Sequence, residues 1–185
     1  MPDIKAKQIK GIKEKPINKA EAELLSKLPG ISDVYSAAEF IKPVENVDTM
    51  GAPKLDAHKD VNGQIIVGWG TRADDLKEGD KVTEAEAQSR LNKNLGDLVA
   101  AVKRNGGGTA WDLMDQGEKD RLLSVMHNVG VKGTIFGKGK DGQYTEFWKA
   151  IISGDKEKAA QENDFGKASG HERRRQSENK RARGE

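Results

Sequence analysis

The sequence predicts an α+β fold that is mainly α-helical, with a small β-hairpin lobe followed by a helical lobe. Only residues 54–71 have a strand pattern, because the β-branched run Ile65-Ile66-Val67 follows the turn signal Asn62-Gly63. Most of the remaining chain places apolar residues three and four positions apart, which is typical of helices. The length of 185 residues fits one domain with appendages.

Composition excludes several classes of function. The chain has no Cys, which rules out disulfide scaffolds, thiol catalysis and Cys-ligated metal sites. With 32 basic and 30 acidic side chains, its net charge of +2 does not demand a polyanionic partner. No apolar run is long enough to span a bilayer, and the N-terminus lacks a signal-peptide pattern. We therefore expect a protein made in the cytoplasm and delivered by other means if it acts elsewhere.

Both ends of the chain are more basic than its body. The first 30 residues carry seven basic and four acidic side chains, and the last 20 carry seven and three. Residues 1–30 are interpreted as a basic linker that ends in an N-terminal helix, from Asn18 to the Pro29-Gly30 stop. The main domain is expected over residues 31–185.

Several signals for the start and end of helices lie within that domain. A short helix is predicted over residues 32–42 from the apolar face of Val34, Ala37, Ala38 and Ile41. The later signals are a capping box at Thr83 to Glu86, a stop at Asn105 to Gly108, a stop at Gly130, a cap at Asp155 and a capping box at Ser169 to Glu172.

Two carboxylates flank the junction between the first helix and the hairpin. Glu45 follows the helix, and Asp60 enters the hairpin turn. Such a pair can serve a glycosidase, in which one acid protonates the leaving oxygen and the other stays ionised. Because the chain has 30 acidic residues, this spacing alone is more typical of a solvated surface.

The order of short motifs resembles the phage-type lysozymes of glycoside hydrolase family 24. Glu45, then Leu55 to Gly63, then Ile66 to Gly70 is similar to the family pattern Glu, short gap, Leu-x-x-Tyr-x-Asp-x-x-Gly-x-x-Thr-Ile-Gly-x-Gly-His. Similar matches follow in the family's order at residues 82–87, 120–130, 147–155 and 170–178. Each match is weak alone, but together they cover about residues 40–180.

This resemblance implies a muramidase that needs no cofactor. The family hydrolyses the β-1,4 bond between N-acetylmuramic acid and N-acetylglucosamine in peptidoglycan, with inversion. Carried over by position, Glu45 is the general acid and Asp60 is the second carboxylate. Glu39 is a rival acid that fits the pattern less well.

Three departures from the pattern affect the predicted site. The family's Thr aligns with Ile66, which cannot hold a water, so Thr71 is predicted to supply the catalytic hydroxyl. Alternatively, the Thr71 hydroxyl only bonds backbone. His58 replaces the usual Tyr, and residues 46–53 form a longer loop that is expected to line the cleft.

Three further residues are predicted to bind substrate. Trp69 lies between glycines beside the cleft, Asn128 either points into the cleft or caps a helix, and Arg174 is expected near Glu45. The histidines lack metal-ligand spacing and are interpreted as structural or surface residues; they are His58, His127 and His171.

The biological setting and three rival functions stay open. The chain fits either a phage endolysin or the toxin domain of an antibacterial secretion effector, which would imply an immunity protein. Rival functions are a lytic transglycosylase and a non-catalytic peptidoglycan-binding module. The basic stretch from Arg173 to Arg183 also permits nucleic-acid binding, but no aromatic residues interleave with it.

Overall fold

A computed structural model of the chain describes residues 31–46, 50–136, 143–163 and 172–184. The predicted linker and helix in residues 1–30 lie outside this part, and so do most of the capping box that begins at Ser169 and the third histidine, His171. The predicted boundary at residue 31 stays a prediction.

The predicted fold class is confirmed: the described chain is mainly helical and contains a small antiparallel sheet. In chain order, its elements are α1 (Ile31–Glu45), β1 (Lys54–Lys59), β2 (Ile65–Gly68), β3 (Thr71–Arg72), α2 (Glu84–Val102), a π-helical turn (Lys103–Gly107), α3 (Gly108–Leu113), α4 (Gln116–Ile135), α5 (Glu146–Ser153), α6 (Lys156–Glu162) and α7 (Glu172–Arg183).

The sheet has the strand order β1-β2-β3 and contains one more strand than the sequence predicts. Gly68 and Gly70 both have positive φ, so the chain reverses around Trp69 and lays β3 against β2. This strand is only two residues long, too short for an alternating pattern to indicate it. Between β1 and β2 the pairing register shifts before His58, which marks a bulge.

Several helix boundaries differ from their predictions. The first helix runs to Glu45 rather than residue 42, with Pro43 accommodated inside its last turn. The predicted stop at Gly130 is present as a break inside α4: its backbone is not helical, with φ +82° and ψ +160°, and a second helical segment then runs to Ile135. The predicted capping box of Thr83 and Glu86 is confirmed at the start of α2.

The central helix α4 organises the helical lobe. Its residues Leu122, Leu123, Val125 and Met126 are buried, and α1, α2 and α7 all pack against it. Because α1 and α7 share this support, the C-terminal end of α1 comes close to α7. This packing brings together residues that are more than 120 positions apart.

Candidate active site

Glu45 is the last residue of α1, and its carboxylate is the centre of the candidate site. The side chain is 18% exposed, so it is largely removed from water. Nη1 of Arg174, on α7, donates a hydrogen bond to Glu45 Oε1. The structure therefore brings together two of the predicted site residues, and this contact fixes the orientation of the Glu45 carboxyl group.

The guanidinium of Arg174 is held from several sides. Its Nε donates to Glu178 Oε1 at 3.0 Å, and its Nη2 donates to the carbonyl oxygen of Ser124 at 2.9 Å. Burial opposes the charge of Arg174, but the carboxylates of Glu45 and Glu178 outweigh it and raise the pKa of Arg174. The cation beside Glu45 is thus permanent.

Glu178 is itself buried and supported by two further donors. Ser124 Oγ donates to Glu178 Oε1 at 2.8 Å, and Asn163 Nδ2 donates to its Oε2 at 3.1 Å. Since a buried carboxylate is stable only when paired and hydrogen-bonded, these donors and Arg174 together satisfy the side chain of Glu178. Glu178 lies in the matched motif at residues 170–178, but the sequence assigned it no role.

His127 lies at 3.8 Å from Glu45, measured from its Nε2 to Oε1, and the sequence analysis did not place it there. Nε2 contacts the carbonyl oxygen of Trp69 at 2.8 Å, and Nδ1 faces the side chain of Asn94 at 2.9 Å. Burial lowers the pKa of His127, against the opposing charge of Glu45. The ring is therefore neutral near pH 7 and donates from one nitrogen only. Because the carbonyl of Trp69 can only accept, Nε2–H is the donor to it, and Nδ1 accepts from the amide N–H group of Asn94 when that amide is turned to face it.

A sequence signal for His127 exists. It stands where the family pattern has Phe, within the buried face of a helix, and an imidazole there needs polar partners. The sequence alone does not identify those partners, because they come from α2 and from the turn between β2 and β3.

The turn between β2 and β3 covers one side of the Glu45 carboxylate. At Gly70 the backbone has φ +76°, and a Cβ there would lie 3.3 Å from Glu45 Oε2 and 3.7 Å from His127 Nε2. Glycine thus permits both the conformation and the close approach of backbone to carboxylate.

Trp69 and the loop after α1 are packed together. The indole is 2% exposed, and its Nε1 donates to the carbonyl oxygen of Gly51 at 2.6 Å. Lys42 lies over the ring at 5.1 Å from its centroid, and Asn46 donates to the carbonyl oxygens of Ala52 and Gly68. The described part of loop 46–53 therefore covers Trp69, and a sugar would reach the ring only if this loop moved.

Asp60 is held by its own hairpin turn. Its Oδ1 accepts hydrogen bonds from the backbone N–H groups of Gln64 and Asn62, at 2.8 and 2.9 Å. The bond from Gln64 is the largest cause that lowers the pKa of Asp60. This carboxylate is partly exposed and ionised at neutral pH.

The other sequence candidates occupy separate places. Thr71 is 4% exposed and pairs across the ladder with the core residue Val67. Its buried hydroxyl has no hydrogen-bond partner among the described residues, so the alternative that it only bonds backbone is wrong. Asn128 is exposed on α4, two residues before the kink at Gly130. Glu39, the rival acid, is exposed on α1 and pairs with Lys42. Within the described ranges, no three His, Asp or Glu side chains are grouped to hold a metal ion.

Comparison with known families identifies the family of the chain. The family model for phage lysozyme matches residues 49–178, and the chain belongs to this family. It is a glycoside hydrolase of the lysozyme class, with peptidoglycan as substrate. No curated protein matches the chain.

Solved structures share the fold. The muramidase domain of SpmX from Asticaccaulis excentricus is 24% identical, with a TM-score of 0.60, covering 80% of this chain and 94% of that one. The endolysin from Escherichia coli O157:H7 phage FAHEc1 is 23% identical, with a TM-score of 0.59 and coverages of 80% and 90%. The active form of the P1 phage endolysin Lyz is 17% identical, with a TM-score of 0.63 and coverages of 80% and 82%. Among the described helices, none is long and apolar enough to cross a membrane.

Proposed function

We propose that this chain cleaves the β-1,4 bond between N-acetylmuramic acid and N-acetylglucosamine, with inversion, in bacterial lysis or interbacterial killing. The observation that carries the proposal is the Glu45 carboxyl group, largely buried at the end of α1 and oriented by Arg174. Protonation of a glycosidic oxygen requires an acid that is held in one orientation.

The two carboxylates are assigned different tasks. Glu45, in its protonated state, donates its proton to the oxygen that leaves the sugar. Asp60 stays ionised, because backbone N–H groups stabilise its charge, and it stabilises the positive charge that develops on the ring. Thr71 was predicted as a further catalytic residue, and Trp69 and Asn128 as sugar contacts; these assignments stay predictions.

The test is digestion of purified sacculi, with the released muropeptides identified by mass. Wild type should release muropeptides with reducing ends. Glu45→Gln keeps the shape of the side chain and removes its proton, so the rate should fall by roughly 10²–10⁴-fold. Glu39→Gln is the matched control, since it removes an exposed acid from the same helix, and its rate should stay close to wild type.

Other products would identify a rival function. Products with 1,6-anhydro ends would indicate a lytic transglycosylase, which needs one acid and no second carboxylate. Binding of sacculi without any release, by correctly folded protein, would overturn the hydrolytic reaction and leave a binding module.

Both settings require that the protein reaches the cell wall, and this requirement can be tested by expressing it in different compartments. The phage endolysins that share this fold favour lysis from inside a cell, whereas an effector would be delivered into the periplasm of a rival and neutralised by an immunity protein. In either case, expression with an added export signal should lyse Escherichia coli, while expression without it should not. Exported Glu45→Gln should be harmless; lysis by that variant would contradict the proposal.

A further inference from the structure

The three-stranded sheet has two unlike faces. Residues that pair directly across a ladder share a face. The pair Val67 and Thr71 lies on the core face, because both side chains are buried. The neighbouring row, formed by His58 with Ile66 and Ile66 with Arg72, must lie on the opposite face. Its members are partly or fully exposed.

Asp60 belongs to the same face as this row. Its backbone N–H donates to the carbonyl oxygen of Gln64 at 2.9 Å, so the ladder that pairs His58 with Ile66 continues to this residue. Residues two apart on a strand point to the same side, which places Asp60 beside His58. After the hydrogen bonds from Gln64 and Asn62, the positive charge of Arg72 also lowers the pKa of Asp60, which agrees with this placement.

The imidazole of His58 has a defined tautomer. Its Nδ1 lies 3.0 Å from the carbonyl oxygen of Asp56. A carbonyl oxygen only accepts, so Nδ1 carries the hydrogen and the neutral ring has its lone pair on Nε2. His58 thus presents a hydrogen-bond acceptor that is also a base, on a partly exposed side chain.

The face that holds Asp60 lacks the hydroxyl of the family pattern, because Ile66 stands at that position. Thr71 lies on the other face, because it is buried and pairs across the ladder with Val67. The side chain directly across the ladder from Ile66 is His58, and paired residues have Cβ atoms about 5 Å apart.

We infer that His58 is a catalytic residue, whose Nε2 holds the attacking water and takes its proton, in the role that the sequence analysis predicted for Thr71. The inference rests on the proposed function. The water oxygen bonds to the anomeric carbon as the glycosidic bond breaks, and the leaving oxygen takes the proton of Glu45. The proton of the water passes to His58 Nε2. Solvent then takes this proton from His58 and returns one to Glu45. Asp60 stays ionised throughout.

The experiment compares single and double variants on soluble glycan chains, with kcat and KM measured separately. His58→Phe keeps an aromatic ring and removes both nitrogens, so kcat should fall roughly 10²-fold while KM stays nearly constant. The double variant His58→Phe with Ile66→Thr places a hydroxyl on the same face. Its kcat should be at least tenfold higher than that of His58→Phe alone. If His58 only packed against its neighbours, a hydroxyl introduced on the neighbouring strand would not restore kcat.

Controls separate folding from chemistry. Lys59→Gln changes the adjacent residue, whose side chain points to the other face and pairs with exposed Glu78, and its kcat should match wild type. Thermal unfolding is recorded for each variant. His58→Ala is measured in the same assays. Unlike His58→Phe, it does not place an apolar ring at a partly exposed position.

Different results would overturn the role of His58 and the proposed function. An active wild type with an inactive Glu45→Gln supports the proposed function. If His58→Phe and His58→Ala then keep the wild-type kcat, or if Ile66→Thr gives no rescue, the role of His58 is overturned alone. A wild type that releases no reducing ends overturns both.

Discussion

Glu45 and Asp60 are two carboxylates of one proposed reaction, yet they are held in opposite ways. Glu45 is largely buried, and its neighbours come from α7, α4 and the turn between β2 and β3. Asp60 is partly exposed, and its hydrogen-bond donors lie two and four residues further along the same hairpin.

This difference shows how the two carboxyl groups can have different tasks. The site of Asp60 is built by a turn sequence and favours a charged group among backbone N–H donors. The site of Glu45 is built by packing, so its geometry depends on the stability of the whole helical lobe. Disturbing the lobe should therefore affect Glu45 strongly and Asp60 little.

The largest effect on stability is expected at Arg174. Replacing it by Met leaves Glu178 buried without its cation, so the free energy of unfolding should fall by about 3–5 kcal/mol. Arg173→Met, at the exposed neighbouring position, should lower it by less than about 1 kcal/mol. Urea denaturation of both variants measures the difference, and equal losses would contradict a special role for the buried ion pairs.

A smaller effect is expected from Gly70→Ala. Ala at positive φ costs about 1–2 kcal/mol, and its Cβ would press on the Glu45 carboxylate. Gly79→Ala is the matched control, because Gly79 also has positive φ but its Cβ would meet no atom within 4 Å. Both variants should lose similar stability, but only Gly70→Ala should lose activity, by roughly tenfold or more. A similar loss of activity in Gly79→Ala would show that the backbone strain, and not contact with Glu45, is responsible.

A pH dependence is expected from His127. Its pKa is lowered in the folded protein, so the unfolded chain binds a proton more readily, and stability is greatest above the unfolded value of about 6.5. As pH falls below that value, the free energy of unfolding should fall more steeply for wild type than for His127→Gln. The glutamine keeps an N–H donor for the Trp69 carbonyl and does not titrate. Urea midpoints at pH 7 and pH 5 measure both slopes, and parallel slopes would show that His127 is not the group responsible.

The smallest effect on stability is expected at Asp60. In Asp60→Asn, the amide oxygen still accepts from the N–H groups of Asn62 and Gln64, so the urea midpoint should stay near that of wild type. Activity on sacculi should nevertheless fall roughly 10²-fold, because the negative charge is lost. Full activity in this variant would favour the transglycosylase reaction, in which a second carboxylate is not needed.

In both the helical lobe and the hairpin, sequence patterns predicted some elements and missed others. The capping box at Thr83 and the hairpin turn at Asn62-Gly63 are local signals, and both elements lie where they were predicted. The strand β3 and the continuation of α4 past Gly130 were missed. Two residues are too few for a pattern, and the helical segment after Gly130 lies beyond a stop that the local signal located.

The sequence by itself determined the fold class and the family resemblance, because these depend on the order and spacing of short motifs. That resemblance in turn implied that Arg174 lies near Glu45. Only the tertiary structure decided that His127 and Gly70 lie against Glu45, that Trp69 is covered, and that Thr71 lies on the core face. These facts depend on which side of a strand or helix meets a distant element. That outcome follows from packing of the whole chain, which local periodicity does not encode.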